Sequence, residues 1–193
     1  MKLNKEFYNR DSLIVAKELL GKILVHEYSE MKLCGKIVET EAYRGPMDKA
    51  AHSYNNRRTE RTEVMFGEAG RAYVYFIYGM HNCMNVVCER VGLPQAVLIR
   101  ALEPMEGLDA MAHNRYQLSF EELTKAKKIN LTNGPGKLCK AMAIDKSLNG
   151  ANLVDNTLYI LEGVTIEESN IAITKRIGID YAEEAKDYPW RFY

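Results

Sequence analysis

The stretch of residues 36–43 constrains the fold more than any other part of the chain, because two kinds of position alternate along it. Its odd positions are Ile37, Glu39, Glu41 and Tyr43. A period of two indicates a β-strand, whose successive side chains point to opposite faces of a sheet. A strand here places both carboxylates and the tyrosine on one face, together with Ile37. Same-face residues two apart lie roughly 6 to 7 Å apart, so one carboxylate can raise the pKa of the other and yield a general base.

Two interpretations of this strand are open. Glu39 and Glu41 can be solvated residues on the outer face of a half-buried antiparallel sheet, which is the ordinary pattern. They can also belong to a functional site, because residues 44–46 (Arg-Gly-Pro) end the strand in a turn and the chain returns to His52. The second interpretation predicts that His52 lies near the carboxylates and Tyr43 at one strand end.

Length and charge limit the classes of protein to consider. The chain has 193 residues, enough for one domain with a substantial core, and no run of about 18 apolar residues that would cross a membrane. Its first residues lack the apolar core of a secretion signal, so we expect an intracellular protein, cytoplasmic in a bacterium and nuclear in a eukaryote. The 26 basic residues balance the 26 acidic ones. Nucleic acid could therefore be bound only through a local basic patch.

The cysteines do not form a metal site by spacing. Four of them are scattered along the chain, without any Cys-x-x-Cys pair. His81 and Cys83 would share a strand face, but no second pair follows at the spacing of zinc ligands. We expect buried, reduced thiols and predict neither a metal nor a cofactor.

The order of predicted elements indicates an α+β fold. Strands are predicted over 22–28, 35–43, 71–78, 81–90, 95–103, 157–161 and 170–177. Helices are predicted over 12–20 behind an Asp11 N-cap, over 106–115, from a capping box at 119–122 to Lys128, and over 138–142. Paired strands with intervening helices are typical of a mainly antiparallel sheet flanked by helices, here in a single domain over residues 1–193. The aromatic C-terminal tail is expected to pack onto it.

Two polar segments have the chemistry to bind phosphate. The loop after His52 carries Arg57, Arg58 and Arg61, which either contact phosphates or pair with glutamates of the same loop. Residues 132–137 precede a helix and combine glycines, free backbone N–H groups and Lys137, which suits a phosphate. The glycine spacing is not that of a P-loop.

Tyrosines and an arginine interrupt otherwise apolar strands. Tyr73, Tyr75 and Tyr78 fall within six residues. Aromatics at strand spacing ordinarily pack in a core, yet three hydroxyl groups in one strand are more than a core usually satisfies. Arg100 lies in the middle of an apolar run and needs a carboxylate partner, for which Glu39 and Glu41 are the candidates. Such an ion pair can be purely structural or part of a site.

Several ordered segments together resemble the alkyladenine DNA glycosylase family, also called the 3-methyladenine DNA glycosylases of the mammalian type. They are residues 38–43 (Val-Glu-Thr-Glu-Ala-Tyr), 50–52 (Ala-Ala-His), 73–80 (Tyr-Val-Tyr-Phe-Ile-Tyr-Gly-Met), 83–85 (Cys-Met-Asn), 98–104 (Leu-Ile-Arg-Ala-Leu-Glu-Pro), 132–139 (Thr-Asn-Gly-Pro-Gly-Lys-Leu-Cys) and 176–178 (Arg-Ile-Gly). The resemblance covers almost the whole chain. It implies a single DNA glycosylase domain with a curved antiparallel sheet and a protruding aromatic β-hairpin.

The resemblance also implies catalytic roles. Glu41 would be the general base that activates a water for attack on the sugar C1′ carbon. Arg100 would hold that water and Glu41, joined by the backbone at Ile177. Glu39 would support these groups rather than act in catalysis.

For the substrate base, the resemblance implies a pocket for a nucleotide flipped out of the duplex. Tyr43, His52 and Tyr75 would form its walls, and Asn85 would reject normal guanine by crowding the exocyclic amine. Tyr78 would be the wedge inserted where the base had been.

Contacts to the DNA backbone are expected from residues around the pocket and beside the wedge, namely Arg57, Arg58, Arg61, Met80, His81 and Lys137. His81 stands where eukaryotic relatives would have an aromatic residue, and Gly136 where serine can occur in the family.

The function implied is that of a monofunctional DNA glycosylase of base excision repair, since no lysine stands in the motif where an imine-forming nucleophile would. It would act on 3-methyladenine, hypoxanthine or ethenoadenine in double-stranded DNA, as a monomer without an obligate protein partner. Two alternatives remain open. One is a glycosidase or nucleoside hydrolase that uses Glu39 and Glu41 as a carboxylate pair. The other is a non-catalytic nucleic-acid-binding module with Tyr73, Tyr75 and Tyr78 as stacking platforms.

Overall fold

The computed structural model describes residues 1–77 and 79–193, which are built around one curled antiparallel sheet. The strands are β1 Ile23–Tyr28, β2 Met31–Tyr43, β3 Ala72–Ile77, β4 His81–Cys88, β5 Gln95–Glu106, β6 Leu158–Leu161, β7 Ile173–Thr174 and β8 Arg191–Phe192. The α-helices are α1 Lys5–Tyr8, α2 Ser12–Glu18, α3 Leu108–Tyr116, α4 Lys125–Ile129 and α5 Pro135–Ala141. Short 3-10 helices cover Gly45–Met47, Tyr54–Asn56, Glu63–Phe66, Lys146–Leu148, Glu168–Asn170 and Glu183–Asp187.

The sheet has the strand order β3-β4-β5-β2-β1-β6, and β8 adds to β2 and pairs with β7. Each of these strand pairs is antiparallel. The long strands β2 and β5 lie at the centre, and helices α2, α3 and α5 pack against the sheet. The predicted α+β class with a mainly antiparallel sheet is confirmed.

Three register shifts interrupt the pairing of β2 with β5, one between Cys34 and Gly35 and two that form a pair of bulges around Glu39. The register shifts on both sides of Glu39, so that Val38 is an extra residue in β2 and Arg100 an extra residue in β5. A bulge inserts one residue into one strand and turns the following side chains to the other face of the sheet. The two insertions lie on opposite strands, so the pairing resumes in step beyond them.

The bulges decide which residues of β2 face the main core. Ile37, before the bulge, and Ala42, after it, both lie in that core. Glu39, Glu41 and Tyr43 therefore point to the other face. The expectation that Ile37 shares a face with the carboxylates is wrong, because a strict period of two does not continue through Val38.

Helix α2 is joined to the centre of the sheet by a buried hydrogen bond. The Asp11 side chain caps the helix by accepting the backbone N–H of Leu13, as predicted, and the helix ends at Glu18. The hydroxyl of Thr40 donates to the Ala16 carbonyl over 2.8 Å. Because Thr40 is completely buried, this bond fixes β2 against the last turn of the helix.

Two predicted elements differ from the structure. The capping box at Ser119 and Glu122 forms, with Glu122 accepting from the Ser119 backbone and hydroxyl at 2.7 Å, but it closes a turn. The helix begins only at Lys125, behind a Thr124 cap. The backbone N–H of Phe120 donates to Asp109 of α3, which ties this turn to the preceding helix.

The strand predicted over 170–177 is limited to β7, Ile173–Thr174. The residues that follow leave the sheet, and their polar groups bond to β2 and to the turn after it. The aromatic tail packs down as expected, since Phe192 of β8 is buried and pairs with Thr40.

Strands β3 and β4 form a hairpin whose exposed residues include Phe76 and Met80. Tyr78, the predicted wedge, lies outside the described residues, so the protrusion of this hairpin stays a prediction. The four cysteines are free and buried. Within the described part of the chain, no helix has the length and apolarity needed to cross a bilayer.

Candidate active site

Glu41 lies completely buried in β2 and accepts three polar contacts. Tyr43 donates its hydroxyl to Oε2 over 2.9 Å, and the backbone N–H of Ile177 donates to Oε1 over 2.8 Å. The Arg100 guanidinium lies 3.2 Å from Oε1. The side chain has no solvent-accessible surface, so the interpretation of Glu41 as a solvated surface residue is excluded.

The pKa of Glu41 is raised above the usual glutamate value. Burial is the dominant cause, and the charge of Arg100 and the hydrogen bonds from Ile177 and Tyr43 oppose it. Arg100 therefore lowers this pKa, but by less than burial raises it. A carboxylate with a raised pKa is a stronger base once it is ionised, which suits proton abstraction from water.

Arg100 links both carboxylates of β2. Its Nε donates to Glu39 over 2.8 Å while another of its nitrogens faces Glu41. Glu39 also pairs with Arg191 of β8 at 3.2 Å, and Arg191 donates to Thr174 of β7 over 2.9 Å. Both candidate partners of Arg100 are therefore real partners, and Glu39 is occupied by two guanidinium groups.

A cavity of about 310 Å³ opens beside these groups. Its lining includes the predicted catalytic residue Arg100, one predicted backbone contact, His81, and the residues predicted for the base pocket: Tyr43, His52, Tyr75, Asn85 and Ile177. Glu41 is not among the lining residues, but it contacts three of them, Tyr43, Arg100 and Ile177. Strands β2, β3, β4 and β5, the turn after β2 and the segment after β7 each supply part of the wall. The fold thus brings together residues that are far apart in the chain, such as Tyr43 and Ile177.

Aromatic rings form one wall of the cavity. His52 and Tyr75 meet edge to face with ring centroids 4.7 Å apart, and Tyr73 and Tyr75 lie 5.2 Å apart. Tyr73, Tyr75 and Ile77 lie on one face of β3, because all three line the cavity. Burial raises the pKa of Tyr75 well above its usual value, so its ring carries a neutral hydroxyl group.

His52 is held as a neutral side chain. Its Nδ1 lies 2.9 Å from the Tyr73 hydroxyl and its Nε2 lies 3.5 Å from Arg61. An arginine can only donate, so Nε2 accepts and the proton resides on Nδ1. Burial, with the charges of Arg61 and Arg57, lowers the pKa of His52 to about 4.

Asn85 is buried in β4 and its amide nitrogen donates to the Tyr73 carbonyl over 3.1 Å. This bond fixes the orientation of the side chain at the cavity wall. Sequence reasoning did not assign Tyr73 to the pocket, although it both lines the cavity and holds His52 and Asn85. Its shared strand face with Tyr75 was the available signal.

Sequence reasoning assigned no role to Arg176 or Asp48, although Arg176 lies in the segment 176–178 that carries part of the resemblance. Both are completely buried and form a two-pronged ion pair, with distances of 2.5 and 2.8 Å. Arg176 directly precedes Ile177, and its guanidinium lies 4.6 Å from the centre of the Tyr43 ring. No pattern in the sequence distinguishes these two residues from the exposed charges around them.

The residues expected to contact the DNA backbone fall into distinct settings. Arg57 and Arg61 line a second cavity of about 280 Å³ that shares His52 with the first. Arg58 is engaged by both oxygens of Glu63 at 2.8 and 2.5 Å. Met80 is exposed, and Lys137 donates to Asn130 over 2.7 Å. None of these contacts tests a role in DNA binding, which stays a prediction.

The site offers one buried carboxylate that can act as a general base. Across the described residues, no group of three or more histidine, cysteine or acidic side chains could hold a metal ion. A carboxylate held by donors at the edge of an aromatic-walled cavity can accept a proton from water and stabilise positive charge that develops nearby.

Comparison with known proteins identifies the family of this chain. The family described as methylpurine-DNA glycosylase (MPG) matches residues 6–193. A relative from Desulfitobacterium hafniense (strain Y51), named "Putative 3-methyladenine DNA glycosylase", is 61% identical over 192 residues, which is 100% of this chain and 94% of the relative. Proteins of the same name from Clostridium acetobutylicum and Clostridium novyi (strain NT) are 58% and 59% identical, also over 100% of this chain and 94% of each relative. The chain belongs to the methylpurine-DNA glycosylase family, which places it among the DNA glycosylases, the hydrolases of DNA repair.

Proposed function

We propose that this protein is a monofunctional DNA glycosylase of base excision repair that removes alkylated or deaminated purines from double-stranded DNA. The observation that carries the proposal is the setting of Glu41, a buried carboxylate held by three donors at an aromatic-walled cavity. The resemblance of the motifs and the family membership give the same reaction class.

Glu41 acts as the general base in this proposal. It takes a proton from a water molecule that attacks the sugar C1′ carbon as the bond to the base breaks. Arg100 and the Ile177 N–H hold the carboxylate in place, and the negative charge of Glu41 stabilises the sugar cation of the transition state. General base catalysis of this kind contributes roughly 10²- to 10⁴-fold in rate.

The cavity receives the extruded base. A base inside a duplex is out of reach, so the enzyme flips it out at a cost of a few kcal/mol, which is least for damaged pairs. The volume of about 310 Å³ lies at the lower end of ligand pockets and suits one base. Tyr43 and Tyr75 offer ring faces that attract a cationic alkylated purine by about 0.5 to 2 kcal/mol. Hypoxanthine and ethenoadenine are the uncharged candidates.

Hydrolysis without strand cleavage follows from the side chains at the cavity. Among the described residues that line it, no lysine is present to form an imine with the sugar. Water activated by Glu41 is then the nucleophile, and the product is an intact strand with an abasic site.

The proposed DNA contacts surround the cavity. Tyr78 is the wedge that fills the space left by the extruded base, and Arg57 and Arg61 contact phosphates at the second cavity. Asn85 excludes guanine by crowding its exocyclic amine. We propose one domain over residues 1–193, which acts as a monomer without an obligate protein partner. The bacterial origin of the relatives supports a cytoplasmic location.

The glycosidase alternative is disfavoured by the state of Glu39. A sugar-cleaving pair needs one carboxylate as acid and the other as base or nucleophile. Glu39 is paired with both Arg100 and Arg191, so its Oε1 is engaged by two guanidinium groups rather than free to face a sugar.

Single-turnover release of base tests the proposal. The substrates are duplexes that each contain one 3-methyladenine, hypoxanthine or ethenoadenine, and the corresponding free nucleosides are the comparison. We expect release from at least one damaged duplex, no turnover of nucleosides, and no strand cleavage. Turnover of free nucleosides at a similar rate would support the glycosidase, and unchanged function in Glu41→Gln would support the binding module.

A further inference from the structure

Arg176 and Asp48 form a buried ion pair that joins several segments of the fold. The Arg176 guanidinium donates to both oxygens of Asp48, to the Ala42 carbonyl over 2.9 Å and to the Ala185 carbonyl over 3.1 Å. Both side chains are completely buried. One guanidinium therefore joins β2, the turn after it, the segment after β7 and the 3-10 helix Glu183–Asp187.

Two aromatic rings also pack on this group. The guanidinium carbon lies 4.6 Å from the ring centre of Tyr43 and 5.0 Å from that of Trp190. Tyr43 lines the base cavity and donates to Glu41. Arg176 thus fixes the position of a cavity wall without lining the cavity itself.

Asp48 organises the turn on its side of the pair. Its Oδ2 accepts the backbone N–H of Arg44 over 3.1 Å, and its Oδ1 accepts that of Ala50 over 3.0 Å. This turn leads directly to His52, another wall of the cavity. The carboxylate therefore sets both the end of β2 and the approach to His52.

Arg176 is adjacent to Ile177, whose N–H donates to Glu41. Residues 175–178 are not part of a strand or helix, so their position depends on side-chain anchors. We propose that Arg176 and Asp48 are positioning residues of the reaction, which hold this segment so that the Ile177 N–H meets Glu41 and the Tyr43 ring stays in the wall. The inference rests on the function proposed above.

An ion pair that served only the stability of the fold could be replaced by apolar residues. Burying two charges carries a desolvation penalty, and well-packed apolar residues of similar volume often give equal or greater stability. What apolar residues cannot provide is the fixed fork of bonds that defines where the segment lies. Variants of the pair can therefore test its effect on the stability of the fold separately from its effect on the position of the segment.

The ionisation of Glu41 supplies an independent readout. The groups that face Glu41 are Arg100 from β5, Tyr43 from its own strand, the Ile177 N–H, the more distant charge of Arg176, and Cys83 of β4, which is electrostatically coupled to it. The Ile177 bond lowers the pKa of Glu41. Displacement of Ile177 therefore raises that pKa and moves the acid limb of the rate profile to higher pH.

The test compares two variants with one control. Arg176→Lys keeps the positive charge but loses the fork, so a shift in the pH profile reports position and not charge. The double variant Asp48→Leu/Arg176→Met removes both charges and restores apolar packing. Lys175→Gln is the control, since Lys175 lies in the same segment but forms an exposed ion pair with Asp187. Each is assayed by thermal melting and by single-turnover base release from a damaged duplex between pH 5 and 9.

We expect the rate constant to fall by roughly 10- to 100-fold in both variants, the range for a lost supporting contact or a misplacement of about 1 Å. The acid limb moves to higher pH in Arg176→Lys, and Lys175→Gln matches the intact protein. In the double variant the melting temperature recovers relative to the single variant while the rate does not.

A different result overturns the inference. If the folded variants keep the rate and pH profile of the intact protein, or if rate and stability recover together in the double variant, the pair is only structural. Should the double variant not fold, Arg176→Lys alone decides by its pH profile. Failure of the proposed function is distinguishable, because the intact protein would then release no base at all.

Discussion

Burial raises the pKa of Glu41 and the charge of Arg100 lowers it, and burial has the larger effect. Arg100 and two hydrogen bonds oppose the rise in pKa that burial causes. The pKa of His52, which lines the adjoining cavity, is shifted the other way, to about 4, by burial and by neighbouring arginines. The site therefore holds an acidic residue with enhanced basicity beside a histidine that stays neutral.

The shift of His52 predicts a pH-dependent loss of stability. Its pKa is lowered on folding, so below the unfolded value of about 6.5 the unfolded chain binds a proton that the folded protein does not. The resulting penalty is absent above that pH, grows as the pH falls, and is complete near pH 4, where it reaches at most about 3 kcal/mol. We expect His52→Gln to lose less stability between pH 7 and 4, measured by urea unfolding.

The control for this experiment is His113→Gln, at an exposed position of α3. It should follow the intact protein across the same range. An identical decline in the intact protein and His52→Gln would contradict the assignment of His52 as a buried neutral side chain.

At the residue scale, the sequence predicted the residues that line the cavity better than the residues that hold them in place. Alternation along β2 indicated that Glu39, Glu41 and Tyr43 share a face, and the resemblance indicated which of them touches substrate. Asp48 and Arg176 escaped because a buried ion pair between distant segments leaves no periodic signal in either segment.

At the scale of elements, the paired bulges at Val38 and Arg100 allow the two central strands to contribute side chains both to the main core and to the cavity. Ile37, before the bulge, lies in the main core, whereas Tyr43, beyond it, lines the cavity and Glu41 contacts residues that line it. A bulge depends on the register with a partner strand, so the pattern of β2 alone could not predict it. The early end of β7 was also not predictable from its own pattern, because hydrogen bonds from Arg176 and Ile177 to β2 hold these residues outside the sheet.

The bond between Thr40 and helix α2 gives a prediction at this scale. Thr40→Val keeps the shape of the side chain but leaves the buried Ala16 carbonyl without the Thr40 donor. We expect a loss of about 1 to 3 kcal/mol in the free energy of unfolding, the usual cost of such a deletion. Thr165→Val, at an exposed position, is the matched control and should change stability by less than about 0.5 kcal/mol. Equal urea midpoints for the two variants would show that the bond does not anchor the helix.

At the scale of the whole molecule, the curled sheet and its connections gather one cavity from eight segments of the described residues, on a chain with no net charge. The antiparallel class of that sheet was predictable, because alternating runs and turn signals recur along the sequence. The joining of β8 to β2 was not, since it depends on a contact between the C-terminus and the centre of the chain.

Neutrality of the whole molecule makes DNA binding depend on a few local charges. Arg57 lines the cavity beside His52, whereas its neighbour Arg58 is neutralised by Glu63. We expect Arg57→Ala to weaken duplex binding and to reduce the slope of log affinity against log salt by about 0.9, the value for one lost phosphate contact. Arg58→Ala should change the slope by clearly less, as measured by fluorescence anisotropy from 50 to 200 mM salt. Equal effects of the two changes would mean that the Arg58 ion pair opens on DNA.

The most direct test of the catalytic account compares the two carboxylates of β2 by the same substitution. Glu41→Gln and Glu39→Gln are assayed for single-turnover base release and for binding of a duplex with one damaged purine. Both variants should bind. We predict that Glu41→Gln loses at least about 100-fold in rate, as expected for the general base, while Glu39→Gln, which still offers an oxygen to Arg100, loses about 10-fold or less. Comparable rates for Glu41→Gln and the intact protein, or a larger loss in Glu39→Gln, would contradict the assignment of Glu41 as the base.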